Sequence, residues 1–563
     1  MEAILQRSRL LPLCILAGVG FLVYVNSLPN SFVWDDGSQI VQNTAIKSFS
    51  NLFELFKGST FSGGGAEELT GSFYRPFVPI SYLLNYHVFG LEAWGFRIFQ
   101  IAFHLFNVIL LFFLVEKVFS SRAVAFLAAL FFAVHPANVE SVAYIASIGE
   151  VLFTFFILLA FFAVLKRNMW GFFALTFLGL LAKETAVVIL PIVLSYFFIF
   201  IKPKVSFYLK FVAGSFGILS LYFFLRMFVG EIPVEKFHLT LMGQASFFER
   251  VFTLPFEMFV YLKTLVYPLP LATYQNFLVQ SVSDIRFWGS LLFLLLLVFL
   301  FIVFLKRQQG ESRKLYVFSI GWFALGLAPV SNLALALDMT VAERWLYFPA
   351  IGFYVFLSLF IVQVARVLGG AKQKVLIVCV AGILLLFSAR TIARNFDWRN
   401  NISLYGRDIQ YSKNSFELEN NYGKALYLAG ETKEAELHFQ KALALQPNSP
   451  HVHNNFGTML FEEGNYEQAE AEFRKAIELG DLYPAYENVA VVLFERGKLG
   501  EAEIFITAAL LKFPNNPKLN LILAVLYYNE GKSREEIIPF LSKTLKNDPT
   551  NEDAKKLQSL IGP

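Results

Sequence analysis

Hydrophobic and polar positions divide this chain into two regimes. Up to about residue 394, long apolar runs alternate with short polar breaks. The runs lie at 10–28, 97–116, 123–134, 151–165, 169–182, 186–201, 208–228, 287–305, 315–333, 345–365 and 374–389. A helix needs roughly 20 apolar residues to cross about 30 Å of hydrocarbon, so these runs predict an all-α, polytopic membrane domain of about eleven spans. Basic residues sit at alternate ends: Lys117 with Arg122, Lys166 with Arg167, Lys202 with Lys204, Lys306 through Lys314, and Lys372 with Lys374. The positive-inside rule places them in the cytoplasm, with the amino terminus (after Arg7 and Arg9) inside and the carboxyl terminus outside. The apolar piece 251–267 is then a re-entrant or surface helix, because a further span would move the Lys306–Lys314 cluster to the other side.

From about residue 395 the pattern turns polar and rich in Glu and Lys. Gly430, Gly464, Gly497 and Gly531 recur about every 34 residues, with Ala435, Ala469 and Ala502 in step. Phe439 and Phe473, then Pro447 and Pro514, keep the same beat. That period is the tetratricopeptide period: small residues let two antiparallel helices touch, Gly ends the first and Pro follows the second. The expected organisation is a membrane domain over 1–394, whose first outer loop is 29–96. A linker or partial helical repeat follows over 395–415, then about four repeats over 416–563 with a capping helix at 551–561. Pro539 falls inside the second helix of the fourth repeat and predicts a distortion there.

Composition agrees with this division. The 563 residues are 56% hydrophobic and 16% charged, with a mean hydropathy of +0.55, which a soluble fold cannot hide. A net charge of +4 gives no reason to expect a nucleic-acid partner. Cys14 and Cys379 both lie in apolar runs, as neither disulfide partners nor metal ligands.

Candidate chemistry comes from polar residues in unexpected places. The stretch "FVWDDGSQI" puts Asp35 and Asp36 side by side after the first apolar run. Runs 123–134 and 169–182 are too short to cross before "HPANVESVAY" and "KET" begin, so His135, Glu140, Lys183 and Glu184 lie below the outer surface. Irregular polar backbone at that depth is expected to line a water-filled cavity. Arg97, Gln100, His104 and Asn107 form one helical stripe, and Glu343 with Arg344 mark another outer span end. Each set also has a purely structural reading. The acids can cap a following helix, the stripe can bond neighbouring helices, and His135 can satisfy a carbonyl. Lys183–Glu184 can be a local ion pair, and Glu343–Arg344 a helix-end anchor. Five sets on one side favour a site. A carboxylate in reach of a hydroxyl can act as general base, and Lys183 and Arg344 could hold a phosphate leaving group. No Gly-rich nucleotide-phosphate loop is present, so the donor is expected to be a lipid-linked phosphosugar.

The segments "FVWDDGSQIVQN", "YRPFVPISYLLNYHVFGLEAWGFRIFQIAFHLFNVILLF", "FAVHPANVESVAYIAS", "LLAKETAVVILP" and "ERWLYFPAIGF" resemble successive signatures of the transmembrane-and-tetratricopeptide O-mannosyltransferases and their bacterial relatives, within the C-type glycosyltransferase superfamily. The resemblance runs from about residue 25 into the repeats. It implies catalytic acids at Asp35 and Asp36, a site lined by Arg75, His135, Glu140, Lys183, Glu184 and Arg344, and inverting transfer of a sugar, mannose by analogy. It further implies a polyprenyl- or dolichyl-phosphate donor and a protein or peptide acceptor recruited by the repeats. His104 and Glu343 join the substrate-binding candidates by position. No metal ligands are assigned; some members of the superfamily use a divalent metal and others do not. Asn138, where relatives often carry a second His, and Gly149–Glu150, in place of a more basic pair, depart from the pattern. The alternatives are a membrane-anchored scaffold without chemistry and a transporter, which internal inverted symmetry would favour and which none is seen to support. The expected location is a bacterial inner membrane with periplasmic repeats, ahead of the endoplasmic reticulum membrane with luminal ones. One sequon, Asn401–Ser403, lies on the outer side.

Overall fold

A computed structural model of the chain describes residues 10–62, 73–232, 240–412, 414–548 and 551–562. Arg7 and Arg9 lie outside the described residues. The chain forms two compact units, 1–412 and 413–563.

The first unit opens with α1 (Leu10–Tyr24), α2 (Phe77–Phe89), α3 (Ala93–Phe119), α4 (Arg122–Val134) and α5 (Val139–Ala143). It continues through α6 (Ile148–Leu165), α7 (Met169–Ala182), α8 (Ile189–Tyr196), α9 (Val205–Phe224), α10 (Leu241–Gln244) and α11 (Phe247–Val266). It closes with α12 (Ile285–Lys306), α13 (Gly310–Leu327), α14 (Ala350–Leu368), α15 (Gly370–Asp397) and α16 (Asn401–Asp408). Among the described residues there is no sheet, only an isolated bridge between Gln275 and Val341.

Among the described residues eight helices are long and apolar enough to cross a membrane, or nine with one bent pair, which makes this a multi-pass membrane protein. The other spans of the expected eleven are short, bent or less apolar. Helix α7 has 14 residues, α4 continues into 136–143 through a 56° bend, and α13 carries a charged first turn. The bend has a local cause: His135 leaves the helical region (φ −71°, ψ 129°) ahead of Pro136, as the residue before a proline tends to do. Helix α11, over the piece expected to be re-entrant or a surface helix, is not among the eight; Ser246 and Glu249 cap its start reciprocally. Helices α3, α4 and α6 pack together, and α14 packs on α4 and α13. Residues 133–151 are buried almost without interruption, so the irregular polar segment between α4 and α6 is enclosed by protein.

The segment expected to be a linker is instead largely part of this unit. Helix α15 runs to Asp397, Trp398 is fully buried, and Asp408 at the end of α16 accepts hydrogen bonds from the Thr273 backbone and hydroxyl.

The second unit is a run of helix pairs. They are α17 (Phe416–Leu428) with α18 (Thr432–Leu445), α19 (Pro450–Glu462) with α20 (Tyr466–Leu479), α21 (Tyr483–Glu495) with α22 (Leu499–Lys512), and α23 (Pro517–Asn529) with α24 (Arg534–Asn547). Helix α25 (Glu552–Leu560) closes the series. Gly430, Gly464, Gly497 and Gly531 each end the first helix of a pair at φ of +86°, +83°, +69° and +73°, a conformation that side chains with a Cβ resist. Ala435, Ala469 and Ala502 are fully buried where paired helices meet. Pro539 is accommodated within α24.

Candidate functional site

The acidic pair divides its labour. Asp36 is fully buried, and its two oxygens accept from the Val33 N–H at 3.0 Å and the Ala146 N–H at 2.7 Å. It therefore closes its own turn and fastens the first loop to the segment before α6. It does not bond the following helix with its side chain. Asp35 is only partly covered, and its Oδ2 accepts from the Tyr144 hydroxyl at 2.8 Å. Burial raises the Asp36 carboxyl to about 7, against the pull of those backbone donors and of Arg97. Burial also raises Asp35, opposed by the Tyr144 hydrogen bond and the Arg344 charge.

The backbone that presents them is strained. Trp34 sits at φ 53°, uncommon for a bulky residue, and such strain persists where surroundings enforce it. Here the Trp34 N–H donates to Asn401 Oδ1 at 2.8 Å, and its ring stacks on Tyr144 at 5.3 Å and 13°. Further hydrogen bonds sew the preceding stretch to α15 and its end: Asn26 to the Ile392 carbonyl, Asn30 to Asn395, and Ser31 to Arg399.

The cations are paired across the fold, not along the chain. Lys183 donates to Glu150, and Arg75 holds Glu184 through two hydrogen bonds, one of them 2.8 Å long. Arg344 pairs with fully buried Glu140 and lies 5.6 Å over the Trp34 ring. Lys183 is extended (φ −163°, ψ 134°), which sends successive side chains to opposite sides and separates it from Glu184. Gly149 makes the other half of the pairing possible: a Cβ there would meet the Ala182 carbonyl at 3.2 Å, so the start of α6 can approach the end of α7. Glu150 and Lys183, each next in sequence to one of those contacting residues, line a small pocket with Thr185. Phe153, Val188, Val330, Trp345 and Phe348 form its apolar wall.

The remaining candidates lie within the packing. Arg97 donates to the carbonyls of Asn30, Ser31 and Ala143; Gln100 to those of Ser141 and Tyr144; Asn107 to that of Val151. The stripe thus bonds α3 to the first loop and to the 139–151 segment. His104 hydrogen-bonds the Tyr347 hydroxyl at 2.8 Å, and His135 the Leu265 carbonyl at 3.0 Å; both are fully buried. Glu343 belongs to a network behind the site: fully buried Arg394 faces Glu343 at 3.4 Å, Asp397 at 3.1 Å and Asp408 at 3.6 Å. Burial raises Glu343 to about 8, with Arg394 opposing. Sequence reasoning gave no site role to Tyr144, which lies inside one quoted signature, to Asn401, noted only as a sequon, or to Arg394 and Asp408, and it saw Glu150 only as a departure. No three His, Cys, Asp or Glu side chains gather around a metal position among the described residues.

The tetratricopeptide-repeat family matches residues 426–490. The chain is 26% identical over 446 residues to protein O-mannosyl-transferase F38B6.6 of Caenorhabditis elegans, an alignment covering 77% of this chain and 63% of that protein. It is 27% identical over 472 residues to human protein O-mannosyl-transferase TMTC3, covering 77% of this chain and 51% of that one. This chain is a homologue of the tetratricopeptide-bearing protein O-mannosyl-transferases. It spans about half to two thirds of the length of these curated relatives. Among solved structures, Pseudomonas aeruginosa pilF is similar at 23% identity and a TM-score of 0.26, over 28% of this chain and 72% of that one.

Proposed function

We propose that the chain is a membrane glycosyltransferase. It moves a sugar, mannose by the names of its relatives, from a polyprenyl-phosphate donor to hydroxyl groups of a protein acceptor on the exoplasmic side. The observation that carries this reading is the partly open Asp35 carboxylate beside Arg344, in a fold whose nearby Lys183 pocket combines an ion pair with an apolar wall.

The step this geometry suits is a single inverting displacement. As the acceptor oxygen closes on the anomeric carbon, Asp35 takes its proton, and the bond from that carbon to the phosphate oxygen breaks. The departing lipid phosphate keeps the electron pair, and the Lys183–Glu150 and Arg75–Glu184 groups supply the cations to receive it. Asp36, with both oxygens committed to backbone N–H groups, fixes the loop and is not the base. The helical repeats recruit the protein acceptor.

Purified chain in detergent, given polyprenyl-phosphate mannose and acceptor peptides or extracts, should form mannosylated product, and the Asp35→Asn variant should not. Undiminished transfer by that variant would overturn the assignment. A scaffold predicts no transfer by either protein.

A further inference from the structure

We infer that Tyr144 is the positioning residue of the proposed base, its hydroxyl holding one Asp35 oxygen so that the other faces the acceptor. The inference rests on the glycosyltransferase reading above and deepens it.

Tyr144 is 3% exposed and could have satisfied its hydroxyl elsewhere; it spends it on Asp35. Its ring lies between two indoles, Trp34 at 5.3 Å and 13° and Trp398 at 5.1 Å and 23°. A phenol stacked on two indoles can spin its O–H hydrogen but resists tilting out of its plane, which restrains the donor oxygen. Its backbone is held as well, the Tyr144 carbonyl accepting from Gln100 at 2.9 Å and the Ala143 carbonyl from Arg97 at 3.1 Å. Two residues on, the Ala146 N–H grips Asp36. One short segment therefore clamps both acids, each by a different donor. Among the described residues nothing hydrogen-bonds the other Asp35 oxygen, which leaves it for an incoming hydroxyl. The stack also draws on three separate stretches of chain, so it forms only when the unit is folded.

The groups facing Asp35 set the sign of the test. Arg344 favours its charged form; Asp338 and, when ionised, Asp36 oppose it, while the buried Tyr82 and Tyr405 are neutral hydroxyls. The Tyr144 hydrogen bond favours the carboxylate, so its loss should raise the proton affinity of Asp35 and its strengthening should lower it.

The experiment is a pH–rate profile of mannosyl transfer by the full chain in detergent, using polyprenyl-phosphate mannose. Tyr144→Phe keeps the stacked ring and removes the donor. We expect its acid limb to move up by about one pH unit and kcat to fall about tenfold, with donor KM unchanged. A ring-fluorinated tyrosine at 144, a stronger donor of the same shape, should move the limb down. Opposite shifts support the inference, and the fluorinated protein decides alone if Tyr144→Phe does not fold. Profiles that coincide with wild type, while Asp35→Asn is inactive, would overturn the inference and leave the function standing. No transfer by wild type would overturn both.

Discussion

The two units handle charge in opposite ways. The repeats hold ion pairs that are open to solvent: Lys475–Glu478 is 49% and 66% exposed, and Arg474–Glu501 38% and 48%. In the membrane unit, Lys183–Glu150 is 7% and 5% exposed, and Arg394–Glu343 0% and 1%. Exposed pairs contribute little and are easily replaced, whereas burying two charges costs several kcal/mol per ion unless their geometry offsets it. Well-packed apolar residues would stabilise the membrane unit more cheaply. Its buried pairs therefore call for a reason other than stability, which the proposed chemistry would supply.

That contrast can be broken experimentally, beginning with the largest effect. Asp35→Asn should lower initial transfer rates about 10²- to 10⁴-fold, the range for a lost general base. Because the Asp35 carboxyl is raised, wild-type rates should climb with pH as it deprotonates, with a midpoint above the ordinary value of about 4. Next, Arg344→Ala leaves fully buried Glu140 uncompensated, and should cost the membrane unit about 3–5 kcal/mol, read by thermal unfolding in detergent. Lys183→Gln should raise KM for the lipid-phosphate donor about tenfold, with a smaller change in kcat; equal loss in both would place Lys183 elsewhere in the reaction.

The repeat unit should respond less. Gly464→Ala forces a Cβ into φ +83° and should destabilise α19 and α20 by about 1–2 kcal/mol, measured by hydrogen exchange on the full chain. Lys475→Ala, at an exposed pair, should change stability by less than about 0.5 kcal/mol. A surface pair found to matter as much as Glu140–Arg344 would undo the comparison.

Legibility follows the same line. The repeat spacing could be read because each repeat is a local object: a Gly about every 34 residues ends a helix wherever it stands. The short run 123–134 and the polar stretch after it announced a break, and His135–Pro136 bends the chain there. Asp35, Arg75, Glu140, Lys183, Glu184 and Arg344 were legible as candidates, but not their partners. Lys183 and Glu184 are neighbours in sequence, yet an extended residue between two helices turns them apart, toward Glu150 and Arg75. His104, His135 and the Arg97 stripe show the reverse: polar residues in or beside apolar runs whose hydrogen bonds are spent on backbone carbonyls of neighbouring segments or, for His104, on the Tyr347 hydroxyl.

By itself, then, the order of residues determined the elements, the break between apolar and polar regimes, the repeat and the acids worth suspecting. All of these depend on spacing within a few turns of chain. Only the tertiary structure decided which acid is committed to backbone and which stays open, and which cation meets which carboxylate. It also decided that a tyrosine held between two tryptophans, one of them 254 residues away in the chain (398 − 144), points at the open acid. The physical reason is that a charge or hydroxyl acts over a few ångströms of space, and sequence distance carries no record of that separation.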